Sequence, residues 1–542
     1  MNFFDKAVAA VAPERAVRRA AARMALDTLE RQTTVKNSGY GNYGANVDKK
    51  SMRGWMFRGG SAKEDIEDNL DVLRQRSRDA YMGIPIANGA LKTLNTNTIC
   101  DGLMPTPQVD ADYLGITDEQ ADDLRAQIVR EFSLWADDYT CDADHMGNFY
   151  ELQKLAYMGY LMNGDFVALL VTQHIEGQPY DLRVRVIEAD RLCSPGGYDR
   201  LSPGEVQGHH VARIVQGVET DESGAVVAYW ICNQHPLAAT YYADKTWQRV
   251  EAYGARTGRR NVLHGMQRER AGQVRGVPTL APVLESLKKL GRYTDAELDA
   301  AVIGAIFAVF IEKEVEADGK PFGEVPNPDD QVDGLPQNSI ELAPGAIVDM
   351  APGEKANFAD PTHPNTSFAN FFDAIVKQIS AALQLPSEVL FKQFSTSYSA
   401  ARGALNEFWR SCDKDREWFA DAFCRPIYET WFREAVANGR INAPGFFTDP
   451  AIAKAYMACK WNGPARTNLN PKDEAEAAQM RVNSGFSTAE DETATMTGGS
   501  YMMNMRQRMR EAKLKREVDK IANDTGSEPN GQSEQPAEKR SE

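Results

Sequence analysis

PTLAPVLESLKKLGRYTDAELDAAVIGAIFAVFIEK, Pro278 to Lys313, is the stretch whose reading decides the fold. Its apolar residues Leu280, Leu284, Leu287, Leu290, Leu298, Ala301, Val302, Ala305, Ile306, Val309 and Phe310 recur at the three-and-four spacing of one helical face. The spacing predicts a single helix over 278–313, roughly 50 Å long at 1.5 Å per residue. Glu285, Lys288, Lys289, Arg292 and Asp295 give its first half a solvated side, whereas Ala300 to Ile311 is apolar all the way round. Such a run is short of the ~20 residues that cross a bilayer. Cover by protein is therefore expected, and neighbouring copies of the same subunit are the natural source.

Outward from this helix the composition changes abruptly. Residues 314–366 hold eight prolines, five glycines and eleven acidic residues against two lysines, which is incompatible with more helix. Pro344-Gly345 and Pro352-Gly353 bracket Ala346 to Met350, a predicted short strand. A second helix from about Ser367 places Phe368, Phe371, Phe372, Ile375, Ile379 and Leu383 on one face and stops before Pro386. Two helices running to a small lobe and back make a stalk with a tip. Polar residues Lys392 to Arg402 follow, and then a third long helix whose buried side is Leu405, Trp409, Cys412, Phe419, Phe423 and Trp431, with a kink expected at Pro426.

Upstream lies an α+β body. Ser61-Ala-Lys-Glu64 has the form of a capping box opening a helix through Leu73. Further helices are predicted after Pro85, over Thr117–Trp135, and over Phe149–Met162, ending at Asn163-Gly164. Strands follow at Asp165–Thr172, Leu182–Val186 and Val226–Cys232, an antiparallel meander set among helices. Residues 13–32 read as an Arg-rich amphipathic helix and Asn37–Gly60 as a flexible linker. Beyond Trp461 the chain is polar and helical (Asp473–Val482, Thr488 onward), and Asp524–Glu542 is too poor in apolar residues to fold.

The net charge of -16 over 542 residues argues against a protein that grips nucleic acid, because phosphate binding is driven by Lys and Arg. Seven widely spaced cysteines read as reduced thiols of a cytosolic protein, and the N-terminus carries no secretory signal. Catalytic patterns are absent: no P-loop, no H-E-x-x-H, no G-x-S-x-G. Gly39-Tyr-Gly41-Asn-Tyr-Gly44 lacks the flanking strand and helix of a dinucleotide fingerprint. His209-His210 offers two ligands where a metal site wants three or four. Eleven carboxylates against two arginines between Asp110 and His145 make a solvated acidic face. No catalytic residue, cofactor or metal site is expected.

Two segments exceed what packing requires. Gly272-Gln273-Val274-Arg275-Gly276-Val277-Pro278 is either a turn with a helix-starting proline or a segment whose Arg275 pairs across a subunit boundary. Ser395-Thr-Ser-Tyr-Ser399 through Arg402 is either an N-cap for the third helix or a mobile loop presented to a ligand.

With these two segments in this order, the chain resembles the portal proteins of tailed bacteriophages, of the lambda type. The likeness is carried by Arg76-Ser-Arg78 with Ile84-Pro85 and Ala87, Tyr113-Leu-Gly-Ile116, Phe149 through Gly164-Asp165, Gly272 to Gly276, Leu342-Ala-Pro-Gly345 and Pro352-Gly353-Glu354. Leu385-Pro-Ser-Glu-Val-Leu390 and Tyr398-Ser399-Ala-Ala-Arg402 with Asn406-Glu407 and Trp409 complete it, over about residues 61–490. The resemblance implies a helix-dominated α+β subunit of a ring, usually of twelve copies, at one capsid vertex, through which double-stranded DNA is packaged and ejected. It implies a flexible arm (1–60), a wing (61–277), stem helices (278–313 and 367–391), a clip (314–366) and a channel loop (392–402). A long wing- or crown-directed helix (403–460), a crown (461–523) and a disordered tail (524–542) follow.

Lys392, Gln393, Ser395, Thr396, Ser397, Tyr398, Ser399 and Arg402 would then face DNA. Gln273, Arg275, Ile306, Phe307 and Phe310 would lie between subunits, and the clip acids Glu324, Asp329, Asp330 and Asp333 would meet the packaging motor or the adaptor. Implied partners are the terminase large subunit, head-completion proteins, the major capsid protein and scaffold, with no membrane. The implied location is the virion, and the host cytoplasm during assembly. Two rival readings stay open: a hydrolase using carboxylates of the Asp110–Asp144 face, and a membrane-associated oligomer inserting Ala300–Ile311.

Overall fold

The computed structural model describes residues 45, 49–55, 59–239, 244–306, 310–313, 354–357, 368–394, 397–466 and 470–525. The chain forms two compact units, Met1–Ser61 and Ala62–Glu542. The first contributes a 3-10 turn at Lys50–Met52. All further structure described here belongs to the second.

Local chemistry sets its helix boundaries. A helical turn at Ala62–Asp65 breaks at Ile66, so the expected continuous helix resumes only at α1, Leu70–Gly83. Pro85 occupies the first turn of α2, Pro85–Thr98, where a missing N–H costs nothing. In α3, Asp118–Ala136, Thr117 and Gln120 form a reciprocal capping box. Asn148 and Glu151 do the same for α4, Phe149–Asn163, which stops at Gly164 in the left-handed region (φ 90°).

The described strands all pair antiparallel. β1 (Met104–Pro107) pairs with a late strand described below. β2 (Asp165–Thr172) and β3 (Leu182–Ile187) were legible from their apolar and alternating patterns. The short strands β4 (Gly204–Val206) and β5 (His209–Val211) form a ribbon. β6 (Arg213–Val215), β7 (Val218–Thr220), β8 (Val226–Cys232) and β9 (Trp247–Glu251) form a meander in sequence order. β10 (Val262–Met266) closes back on β2, with Val262 opposite Leu169 and Met266 opposite Asp165.

The decisive stretch departs from the single predicted helix. After a 3-10 turn at Ala281–Val283, α5 runs Leu284–Ile306, about 35 Å at 1.5 Å per residue, and Phe310–Lys313 is a strand, β11. It pairs with β12, Glu354–Asn357. An apolar run rich in aromatic and β-branched residues fits a strand as well as a helix, and here pairing decided. The second predicted rod is α6, Phe368–Ala382. Tyr293 of α5 stacks on Phe368 (5.4 Å) and meets Phe371 edge-on (5.1 Å).

After α7 (Ser387–Phe391), α8 runs Tyr398–Phe419. The kink expected at Pro426 falls just ahead of it, as a π-helical turn at Ala420–Cys424 leading into α9, Arg425–Ala437. Proline cannot donate to the carbonyl four residues back, and the widened turn absorbs that loss. Then come α10 (Pro450–Met457), the strand β13 (Cys459–Asn462) paired to β1, and three polar helices, α11 (Pro471–Asn483), α12 (Ala489–Thr497) and α13 (Tyr501–Thr525). The sequence reading missed β1, α10 and β13.

The main core gathers α2, α3, α4, β2, β3, the base of α5, α6, α8 and α9 around an aromatic cluster. Phe132 meets Trp431 edge-on at 4.9 Å, and Phe419 stacks on Phe423 at 5.2 Å. Each such pair contributes about 0.5–1.5 kcal/mol beyond its buried area. A smaller core lies between β2 and the meander, from Val167 and Ile187 to Val218 and Ile231. All seven cysteines are described, and none is disulfide-bonded. The 13–32 helix, residues 37–44, 46–48 and 56–58 of the expected linker, the Ala346–Met350 strand and all but the first two residues of the Asp524–Glu542 tail lie outside the described residues.

Candidate functional site

Two places hold the residues singled out from the sequence: a buried ion knot at the foot of α5, and the exposed segment joining α7 to α8.

The knot centres on Asp165, the first residue of β2, which is fully buried. Arg275 Nε donates to its Oδ2 at 2.7 Å, Arg74 Nη2 to its Oδ1 at 2.7 Å, and His264 Nε2 lies 3.1 Å from Oδ2. Gly276 N–H adds a bond at 3.3 Å. Arg275 directs its remaining donors to the carbonyls of Leu192 (2.6 Å), Gln216 (2.7 Å) and Ala189 (2.7 Å). Its guanidinium is thus satisfied inside its own subunit, so the expected bond across a subunit boundary gives way to an internal one. Gln273 is also internal: its carbonyl accepts the N–H groups of Glu269 (2.9 Å) and Arg270 (3.2 Å), and its amide donates to Arg275 O at 2.7 Å. Both residues are buried.

Two glycines bring these groups together. A Cβ on Gly276 would lie 1.8 Å from Gly164 O, and one on Gly164 would lie 2.4 Å from the Gly276 carbonyl carbon. The segment that starts α5 therefore crosses the end of α4 backbone against backbone, and only glycine fits on either side.

The electrostatics follow from this geometry. Burial alone would raise the Asp165 carboxyl, but Arg275 and Arg74 outweigh it and hold the group well below the ordinary carboxylate range. Burial, with Arg275 adding to it, lowers Arg74 to about 10. Burial also lowers His264, against the pull of its bond to Asp165, so the imidazole is neutral and donates. Removing one partner of such a buried pair costs roughly 3–5 kcal/mol, because the other charge is stranded.

The second place is built differently. Leu383 and Leu385 on one side, and Phe408 and Trp409 on the other, are buried in the main core, and Ala401 is buried beside the loop. Between these anchors Lys392, Gln393, Phe394, Ser397, Tyr398 and Ser399 are all exposed. Lys392 ends α7 in the left-handed conformation (φ 56°), and its N–H bonds to Glu388 O. Ser397 caps α8, its hydroxyl accepting the Ala400 N–H at 3.4 Å. The cap reading was therefore correct for Ser397, and Tyr398, Ser399 and Arg402 belong to the first turn of α8, which shortens the expected 392–402 loop. Ser395 and Thr396 lie outside the described residues. Arg402 Nη2 pairs with Glu474 Oε1 of α11 at 2.5 Å, across a cleft of about 320 Å³. Arg481 and Glu492 close the same cleft with a bidentate pair at 2.6 and 2.8 Å.

The other expected residues are less informative. Ile306 ends α5 and Phe310 opens β11, by backbone position alone. Phe307 and the clip acids Glu324, Asp329, Asp330 and Asp333 lie outside the described residues. Carboxylates of the Asp110–Asp144 face act as caps and ion-pair partners: Asp110 and Asp138 accept backbone N–H groups, Asp142 holds the turn to Met146, and Glu131 receives Arg440 at 2.6 Å and Tyr180 OH at 2.8 Å. Among the described residues no three His, Cys, Asp or Glu side chains are grouped as for a metal ion. No helix among them is long and apolar enough to cross a membrane.

Arg74, Asp165, His264 and the Gly164–Gly276 crossing were not singled out as a site from the sequence. The one local signal was an aspartate opening an otherwise apolar strand, which must find cations if it is buried.

Comparison with known proteins bears directly on this chain. Portal protein B of Escherichia phage lambda is 22% identical over 421 residues, 74% of this chain and 76% of that protein. The portal protein of Escherichia phage N15 is 21% identical over 514 residues, 90% and 92% of the two chains. A probable portal protein of Halomonas phage phiHAP-1 is 25% identical over 460 residues, 84% and 80%. A chain in a solved structure titled "Neck of native GTA particle computed with C12 symmetry" superposes with a TM-score of 0.39 at 14% identity, over 79% of this chain and 92% of that one, too loosely to carry weight. The model of the family described as phage portal protein, lambda family, matches residues 48–416, which include both the ion knot and the α7–α8 segment, and this chain belongs to that family.

Proposed function

We propose that this chain is the subunit of a ring, of about twelve copies in the family's manner, that forms the DNA conduit at one capsid vertex. The observation that carries the reading is the family match over residues 48–416. Two features of the molecule support it. Leu298 and Val302, one turn apart on α5, are 64% and 50% exposed, and Phe371 on α6 is 52% exposed, an apolar surface that neighbouring copies would cover. The α7–α8 segment is held at both ends by buried anchors, as a loop facing a channel needs to be.

In this reading 61–277 is the wing, α5 and α6 the stem, 314–366 the clip, and the helices beyond 461 the crown, with Ile306, Phe307 and Phe310 at subunit contacts. The clip acids would meet the terminase large subunit during packaging and head-completion proteins afterwards, and the wing the major capsid protein and scaffold. The chain itself is a structural component of the virion, assembled in the host cytoplasm. An acidic subunit (net charge -16) lets DNA slide past, because it has few cations to hold phosphate.

Lys392 is exposed and has no carboxylate partner among the described residues, whereas Arg402 is engaged by Glu474. Lys392→Ala is expected to leave ring assembly intact and to change DNA retention in a salt-sensitive way. Rings that fail to assemble in this variant would contradict a DNA-facing role.

A further inference from the structure

The last described helix inverts the charge of the chain. From Tyr501 to Ile521, α13 carries seven cations (Arg506, Arg508, Arg510, Lys513, Lys515, Arg516, Lys520) against Glu511, Glu517 and Asp519, in a protein whose net charge is -16. Every residue from Gln507 to Ile521 is exposed. Arg508, Arg510, Lys513, Lys515 and Arg516 have no carboxylate partner among the described residues. By contrast, the arginines at the nearby cleft, Arg402, Arg466 and Arg481, each pair with a carboxylate.

The cations are also sorted. At about 100° per residue, Arg506, Arg510, Lys513, Arg516 and Lys520 fall within roughly one third of the helix circumference, which they share with a single acid, Glu517. Leu514, Val518 and Ile521 lie together on another side. The basic face spans roughly 21 Å, long enough to pass several phosphates, which recur every ~3.4 Å along each strand of a duplex.

We propose that the basic face of α13 is a sequence-independent binding site for the phosphate backbone of double-stranded DNA. A second copy of the helix cannot cover this face, since like charges repel. A membrane surface is the poorer fit: an interfacial helix carries a broad apolar face with Trp or Phe, and α13 has neither residue and only a short apolar stripe. Met509 is the one exposed apolar side chain among these cations, and no Asn or Gln on the face is placed to read a base. That is the signature of backbone contact, which positions without reading sequence. The site complements the acidic remainder of the chain: DNA that slides past the body meets a concentrated run of cations where α13 reaches it.

The test uses the full chain and the triple variant Arg510→Gln, Lys513→Gln, Arg516→Gln, whose side chains are exposed and without carboxylate partners. A fluorescein-labelled 30-base-pair duplex of random sequence is titrated by anisotropy between 50 and 200 mM salt. Five phosphate contacts would weaken binding about 500-fold over that range, and the two left in the variant only about 10-fold, from the counterion-release slope of about 0.9 per contact. Particle mass and melting temperature, read on the same samples, are expected to be unchanged by the substitutions, and the mass keeps this outcome separate from the conduit reading. Failure of the wild-type chain to bind the duplex, or an equal salt slope in the variant, overturns the proposal. So does capture by phosphatidylserine vesicles without capture of duplex, or a loss of particle mass in the variant, which would make α13 a membrane or subunit contact instead.

Discussion

Asp165 ties three distant parts of the chain together. Its partners Arg74, His264 and Arg275 stand 91, 99 and 110 residues away, and the same guanidinium of Arg275 holds three carbonyls of the β region. Asp165→Asn is expected to lower unfolding free energy by roughly 3–5 kcal/mol, since Arg74 and Arg275 would be left buried against a neutral amide. Denaturant titration measures it; a loss under about 1 kcal/mol would show that water already screens the knot. His264 gives a pH signature. Its pKa is depressed in the folded chain, so the unfolded chain takes up this proton at higher pH. Stability is then fully present above the ordinary imidazole pKa near 6.5 and falls as pH drops through the window below it. Thermal melts between pH 8 and 5 are expected to show a shallower decline for His264→Gln than for the parent, and parallel curves would contradict the assignment. From the sequence, Gly164-Asp165 was legible as a helix stop and a strand start. The knot was not, because nothing local announces which cations a buried carboxylate will meet.

At the scale of elements, periodicity and caps revealed most helices. Thr117, Phe149 and Pro85 mark starts within a residue of those found, and the apolar strands β2 and β8 match their predicted limits. What failed was the far end of α5, where Phe310 and Ile311 satisfy either period and β12 supplied the partner. β1 and β13 were also missed: two prolines in β1 and only four residues in each strand leave no pattern to read. Two outcomes follow for the stalk and cleft. Leu298→Lys with Val302→Lys, on the exposed side of α5, is expected to leave the melting temperature within a few degrees of the parent and to prevent assembly. Light scattering reads the assembly, and rings of full size would show that this face is not a contact. Arg402→Ala and Glu474→Ala, singly and together, are expected to couple by about 0.2–1 kcal/mol, falling with salt, as for an exposed pair. A coupling above about 2 kcal/mol would mean that the cleft is closed to water.

For the whole molecule, fold class and family were readable because the ordered motifs span most of the chain, and the match over residues 48–416 bears this out. The internal role of Arg275 was not readable, since an arginine before a long helix serves a neighbour or its own body equally well until the backbone crossing at Gly164 and Gly276 is seen. That crossing fixes the foot of α5, and in the proposed ring assembly rests on the apolar surface further along that helix. Negative-stain imaging of the purified full-length chain, with its mass measured in solution, tests this most directly. The expected result is an annulus with a central hole and a mass of about twelve subunits of 60.1 kDa. A well-behaved monomer of that single mass, with no annular particles at any salt or concentration, would contradict it.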